Sequence, residues 1–310
     1  MSLDPQIAAL IETLDAAFPP VHTMTGAQAR ATIRSRFVPS TEPEPVAEIR
    51  NETIPGPGGD IPIRIYRPHG SAGVSLPILV FAHGGGFVFC DLDSHDGLCR
   101  DFANRLPAVV VSVAYRLAPE HPWPAAAEDL YAATQWAERN ASRFGGDPAR
   151  VVVGGDSAGG NLAAVTALMA RDLDGPALAA QLLLYPVIAA DFETESYRSF
   201  GHGYYNPKPA LQWYWDQYVP STADRSHPYA TPLNADLQRL PAAVVVIAGH
   251  DPLRDEGLAY ASALEEAGVP VLRAQFDGGI HGFMTMPVLD LAHKARQQAS
   301  VKLAQLLALV

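Results

Sequence analysis

The chain has little cysteine: Cys90 and Cys99 are the only two among 310 residues. Two thiols cannot build a disulfide scaffold, and without a CxxC pair they form no zinc knuckle, so reduced thiols in a cytoplasmic protein are expected. Long apolar runs are missing as well, and no stretch approaches the roughly 18–20 consecutive apolar residues of a membrane span. The opening MSLDPQIAALIETLDAAF has no basic stretch, and Asp4, Glu12 and Asp15 interrupt it, so it does not read as a signal peptide. Positive charge is scarce: Lys and Arg number 22 against 33 for Asp and Glu, a formal charge of −11. That field repels polyanions and argues against nucleic acid or an anionic membrane as partner. Neither GxxxxGK(S/T) nor GxGxxG occurs, which sets aside the common nucleotide cradles. Charged residues make up 18% and hydrophobic residues 48%, a balance that excludes disorder and coiled coil.

What is present is a chain long enough to bury roughly three quarters of its unfolded surface, as one large domain or a domain with a lid. Ile7, Leu10, Ile11 and Leu14 recur on one helical face, after Asp4 at the cap and Pro5 in the first turn. Residues 39–45, PSTEPEP, break that pattern and read as a linker. From residue 46 strands follow. Residues 46–54 and 61–67 alternate around a turn at 55–60, predicting an antiparallel hairpin. The runs at 77–82, 108–115, 151–155, 180–187, 242–249 and 271–276 are apolar on both faces, as in a buried parallel sheet. Helical patterns at 96–106, 125–143, 158–172, 255–267 and 290–309 fall between them, predicting a doubly wound α/β fold. Between 187 and 242 no strand pattern occurs, and the aromatic residues Tyr204, Tyr205, Trp213, Tyr214, Trp215 and Tyr218 cluster there. Such a stretch predicts an insertion with its own helix, its aromatic side chains either packing on the core or walling a pocket.

The chemistry-bearing residues sit at strand ends. GDSAG, residues 155–159, lies between a buried strand and a helix, where a sharp turn flanked by small residues lifts Ser157 above the sheet. HGGGF, residues 83–87, follows another buried strand, and glycines can bend so that several N–H groups face one point. Gly84, Gly85, Gly86 and Ala158 form the candidate oxyanion hole, with Gly85 and Gly86 as favoured donors and Gly84 shaping the turn. Of ten histidines, His281 in DGGIHGF lies just beyond the strand at 271–276 and is the candidate base. Asp251, just beyond the strand at 242–249, is the candidate acid. Asp255 is expected to face away or to cap, and His250 to leave its strand on the other side. All three residues of the set fall at carboxyl ends of strands, where open α/β sheets bind ligands.

The motifs HGGGF (83–87), YRLAPE (115–120), GDSAGGNLAA (155–164), DPLRDEG (251–257) and HGF (281–283) resemble, in order and spacing, the hormone-sensitive lipase family of α/β-hydrolases, in its bacterial family IV esterase branch of GDSAG type. The resemblance implies an α/β-hydrolase fold, a mostly parallel doubly wound sheet with a helical cap. Residues 1–45 and the insertion 188–231 would make that cap, and 46–187 with 232–310 the catalytic core. It implies Ser157 as nucleophile, Asp251 as acid and His281 as base of a carboxylic ester hydrolase. The Trp- and Tyr-rich insertion suggests a closed, apolar pocket of moderate size, so short- to medium-chain acyl esters are expected as substrates, and the chemistry needs no metal or organic cofactor. Phe87, Tyr214, Trp215 and Phe283 are the candidate substrate-binding residues. Trp123 stands where the family more often has Phe, a change that touches packing. The family often pairs two copies through its last strand, here 271–276. Plant gibberellin receptors resemble the same family but lack the catalytic histidine, whereas His281 is present here. An amidase or peptidase using the same three residues shares every motif and is separated by its substrates.

Overall fold

The structure is a computed structural model that describes residues 2–71 and 73–308. In chain order its main elements are α1 (Pro5–Ala17), α2 (Gly26–Arg36), β1 (Glu48–Gly56), β2 (Gly59–Arg67), β3 (Leu76–Ala82), α3 (Asp96–Arg105), β4 (Val109–Val113), α4 (Ala125–Arg139) and β5 (Gly146–Asp156). They continue with α5 (Ala158–Asp172), β6 (Leu178–Leu184), α6 (Glu195–Phe200), α7 (Lys208–Tyr218), β7 (Ala243–His250), α8 (Arg254–Glu266), β8 (Val271–Ile280) and α9 (Asp290–Leu307). The strands form one eight-stranded sheet in the order β1-β2-β4-β3-β5-β6-β7-β8. β2 pairs antiparallel with β1 and β4, and every other pairing is parallel. This is the mostly parallel, doubly wound sheet of an α/β-hydrolase fold.

Alternation along the strands explains the two helical layers. In β3, Ile78 and Val80 join α4 and α5 on one face, while Leu79 and Phe81 join α3 and α9 on the other. All seven residues of β3 are buried, so it reads as a continuous apolar run with no polar face. α8 packs beside α5, with Tyr260, Ala261 and Leu264 against Val245 and Ile247 of β7. Local sequence starts the leading helices: Asp4 accepts the Gln6 N–H ahead of α1, and Thr25 with Gln28 closes a capping box on α2.

Several features differ from the sequence pattern, three of them near the site or the hairpin. The hairpin turn is tighter than 55–60, because Gly56 already pairs with Gly59. The insertion holds two α-helices, α6 and α7, where one was expected. β8 runs on through Asp277, Gly278 and Gly279 to Ile280, so the DGG ahead of His281 is strand and not loop. A register shift between Ala248 and His250 accompanies that extension. The glycines disguise it, since they carry no side chain to show the alternation of a strand.

Candidate active site

Four connections converge at the carboxyl edge of the sheet. His83 follows β3, Ser157 follows β5, Asp251 follows β7 and His281 follows β8. Ser157 sits at φ 56° and ψ −118°, a conformation an L-residue holds only when its surroundings impose it. Here its N–H donates to the Leu184 carbonyl (2.9 Å), and its own carbonyl accepts from Asn161 and Val187 (3.1 Å each). The two flanking glycines are steric necessities. A Cβ on Gly155 would run into the Gly159 carbonyl, and one on Gly159 into the carbonyl of Ala82. The turn therefore closes directly against the end of β3.

Above this turn, His281 Nε2 lies 2.8 Å from Ser157 Oγ, and His281 Nδ1 lies 2.8 Å from Asp251 Oδ2. Asp251 Oδ1 also accepts the Leu253 N–H at 2.8 Å, which fixes the carboxylate plane. A carboxylate only accepts, so Nδ1 carries the ring proton and Nε2 presents its lone pair to the serine hydroxyl. Exposure falls along the chain of three, from 8% at Ser157 to 7% at His281 and 1% at Asp251. The edge of Tyr185 backs the imidazole at 5.2 Å between ring centres. Such an arrangement can deprotonate a hydroxyl and hold the resulting imidazolium against a buried anion.

Residues 79–285 match the α/β hydrolase fold family. The chain belongs to the α/β-hydrolase family. It is 45% identical over 265 residues to the carboxylic ester hydrolase LipN of Mycobacterium tuberculosis, covering 83% of this chain and 70% of LipN. To the carboxylesterase NlhH of the same organism it is 40% identical over 294 residues, covering 93% and 90%. The solved structure of a thermostable esterase from Pseudomonas putida superposes with a TM-score of 0.93 at 36% identity, covering 99% of this chain and 98% of that one.

The rest of this α/β-hydrolase site departs from the sequence expectations in instructive ways. Gly84, grouped with the oxyanion hole but expected to shape the turn, is not a free donor: its N–H already donates to Asp156 Oδ1 at 2.8 Å. The N–H groups of Gly85, Gly86 and Ala158 meet no acceptor among the described residues. Gly85 and Gly86 hold φ of +105° and +60°, outside the ordinary range of other residues. Phe87 is fully buried and stacked on Tyr218 at 3.8 Å, so it serves packing rather than a ligand. Phe283 packs with Phe276 and Tyr185, and Trp215 is 1% exposed within the core. Tyr214, 5% exposed, lies with its ring against Gly86. Aromatic residue type cannot separate a pocket wall from a core filler, and only packing does.

His250 is turned away as expected: its Nδ1 donates to the Asp277 carbonyl (2.8 Å), and Phe200 and Tyr204 pack on its ring. Asp255 does cap, but on α6 of the insertion, accepting the Ser196 N–H at 2.8 Å. Trp123 gives its departure a use, since the indole N–H donates to the Tyr229 carbonyl at 3.0 Å. Sequence reasoning passed over the side chains behind the glycine loop. His95 Nε2 stands 3.0 Å from Asp156 Oδ1, and His83 stacks on Tyr115 at 4.4 Å. Burial, reinforced by His95, pushes His83 down to about 4, so its ring is neutral at pH 7. Burial pulls the Asp156 carboxyl up, but His95, His83 and the Gly84 N–H outweigh it and hold the group below the usual carboxylate range. His83 and Tyr115 lie in motifs of the family resemblance, so a signal existed; for His95 none did.

Proposed function

We propose that this protein is a carboxylesterase acting on short- to medium-chain acyl esters through an acyl-enzyme. The observation that carries this reading is the buried Ser157–His281–Asp251 relay, with both of its links at 2.8 Å. His281 Nε2 takes the proton of Ser157 as Oγ attacks the ester carbonyl carbon. The tetrahedral oxyanion is received by the N–H groups of Gly85, Gly86 and Ala158, the last at the start of α5, where the helix dipole favours negative charge. The protonated His281 then gives its proton to the leaving alcohol as the C–O bond breaks. Water repeats the attack on the acyl-enzyme with the same base, and carboxylic acid leaves. Asp251 keeps the imidazole in the productive tautomer and stabilises its charged form throughout. No step calls for a metal or organic cofactor.

The two leading helices and residues 188–231 suit a cap over this centre. The end of α1 meets the insertion where Phe18 packs edge-on against Tyr205 and Asp15 accepts the Tyr205 N–H at 3.0 Å. Between α2 and the loop behind the glycines lies a cavity of about 490 Å³ lined by Arg30, Ile33, Phe37, Cys90 and Asp91. It adjoins the site through Cys90, whose Cβ stands 3.0 Å from where a Cβ on Gly85 would be. Its lining holds none of Ser157, His281, Gly85, Gly86 or Ala158, so the short- to medium-chain reading rests on the aromatic insertion closing over the site and not on this volume. Tyr214 over Gly86 is the substrate-facing aromatic residue of this reading. We further propose a homodimer through β8, an edge strand with unpaired backbone groups along 271–276, and a cytoplasmic setting, which suits two free thiols. Sedimentation of the purified protein as a monomer would end the dimer proposal, and export from the native cell would end the cytoplasmic one.

The test of the activity is Ser157→Ala against p-nitrophenyl esters of graded acyl length. Hydrolysis is expected to vanish in a folded variant, and in the wild type to peak at short or medium chains. Near-wild-type activity in the variant refutes the mechanism, and a maximum at long chains refutes the substrate range.

A further inference from the structure

We propose that Asp156 and Tyr115 are positioning residues that aim the oxyanion donors by gripping one peptide group, His83–Gly84, from both ends. The inference rests on the esterase reading of Gly85 and Gly86. The Tyr115 hydroxyl donates to the His83 carbonyl at 2.7 Å, and the Gly84 N–H donates to Asp156 Oδ1 at 2.8 Å. In a planar trans peptide the C=O and N–H point in opposite directions, so a bond at each end fixes the plane against rotation. The orientation then passes down the loop one peptide at a time. The Gly84 carbonyl accepts His83 Nδ1–H at 2.7 Å, which turns the Gly85 N–H the other way. The Gly85 carbonyl accepts the N–H groups of Val88 and Phe89 at 3.0 Å each, which does the same for the Gly86 N–H. Each carbonyl in the run is fastened, and the two N–H groups opposite the fastened carbonyls of Gly84 and Gly85 are left free.

Asp156 is suited to this part by its place in the chain as well as by its contacts. It is the last residue of β5 and immediately precedes Ser157, so nucleophile and oxyanion loop are referred to the same backbone. His95 at 3.0 Å partners the buried carboxylate from the start of α3. A Cβ on Gly84 would fall 2.5 Å from Asp156 Oδ2, so the first glycine is dictated by this carboxylate and not by the oxyanion. Both positioning residues are buried, Tyr115 at 3% and Asp156 at 4% exposure.

The experiment compares Tyr115→Phe, Asp156→Asn and Asp156→Ala with the wild type. The readouts are kcat and KM on p-nitrophenyl butyrate and the affinity for a trifluoromethyl ketone that forms a tetrahedral adduct. Active sites are counted by phosphonate titration. Tyr115→Phe keeps the ring that stacks on His83, so it carries the test even where Asp156→Ala does not fold. It is expected to lower kcat about 10-fold with KM within about 2-fold, and to weaken the ketone in parallel. Asp156→Asn, which retains an acceptor for the Gly84 N–H, is expected to lie closer to wild type than Asp156→Ala. The double variant Tyr115→Phe/Asp156→Ala should lose less than the product of the single losses, because both act on one peptide. A purely structural role would change the number of active sites and Tm but not the ketone affinity per active site. Unchanged kcat and ketone affinity per site in Tyr115→Phe and Asp156→Asn overturns the inference. If the wild type hydrolyses the ester and Ser157→Ala does not, that failure leaves the esterase reading standing; an inert wild type overturns both.

Discussion

Replacing Asp251 by asparagine removes one charge from the centre while disturbing little else. Asparagine Oδ1 can still accept the Leu253 N–H that orients the side chain, so the loop after β7 keeps its anchor. What is lost appears only when His281 becomes an imidazolium in the transition state. His281 Nδ1 and Asp251 Oδ2 are 2.8 Å apart and both side chains are nearly sealed from water. At an effective dielectric of about 20, a unit charge pair at that separation is worth about 6 kcal/mol. Converted at about 1.4 kcal/mol per decade, kcat should fall by about four orders of magnitude. The amide also has a nitrogen that can donate to Nδ1, which would leave the proton on Nε2 and deny Ser157 its base. Steady-state hydrolysis of p-nitrophenyl butyrate near pH 7.5 reads the effect, with KM expected to change little because the neutral ground state has no imidazolium to lose. A variant that folds and loses less than about 10-fold in kcat would refute the electrostatic role assigned to Asp251.

Glu256 offers a test of stability against pH. It is 3% exposed and accepts the N–H groups of Ile188 (2.6 Å) and Ala189 (3.2 Å) through Oε1, while Oε2 is without a partner among the described residues. Burial, aided by Asp251 and Asp191 and opposed by those two N–H groups, raises its carboxyl well above the ordinary value. Below about pH 4.5 the carboxyl is protonated in folded and unfolded chains alike, and the folded state bears no penalty. Above it the unfolded chain ionises first, so the folded state loses about 1.4 kcal/mol for each whole step of pH until the buried carboxyl ionises too. Glu256→Gln should therefore raise Tm at pH 8 by about 2 °C or more and converge on the wild type toward pH 4.5. A lower Tm for the variant at pH 8 contradicts this. Burial pushes both thiols up to about 12, and Cys99 is fully enclosed while Cys90 keeps part of its surface open. Ellman's reagent at pH 8 should thus label Cys90 slowly and Cys99 only after unfolding; prompt labelling of two thiols in the native protein would show the packing to be wrong.

Much of the site was legible because strand-end chemistry is local. A buried run followed by GDSAG and a helix admits few conformations, and steric exclusion at Gly155 and Gly159 leaves one. The order Ser157, Asp251, His281, at the ends of β5, β7 and β8, follows from the same pattern. Strand assignment failed where glycine hid it, at Asp277–Gly279 in β8. Residue type gave no way to tell wall from filler where one type serves two purposes: Phe87, Trp215 and Phe283 are packed in the core, and the buried ring of Tyr214 lies against Gly86. Gly84 was expected to shape the turn while Gly85 and Gly86 donate, and its N–H is engaged by Asp156, a partner that the glycine string itself does not announce.

Local pattern alone therefore decided the parallel sheet, the order of its strands along the chain and which three side chains would carry a proton relay, because periodicity and turn chemistry act within a few residues. The 2.8 Å contacts of His281, the orientation of each glycine N–H and the pairing of Asp156 with His95 were decided by tertiary structure. Those depend on residues brought together from far apart in the chain, and on which buried polar groups found a partner when water left.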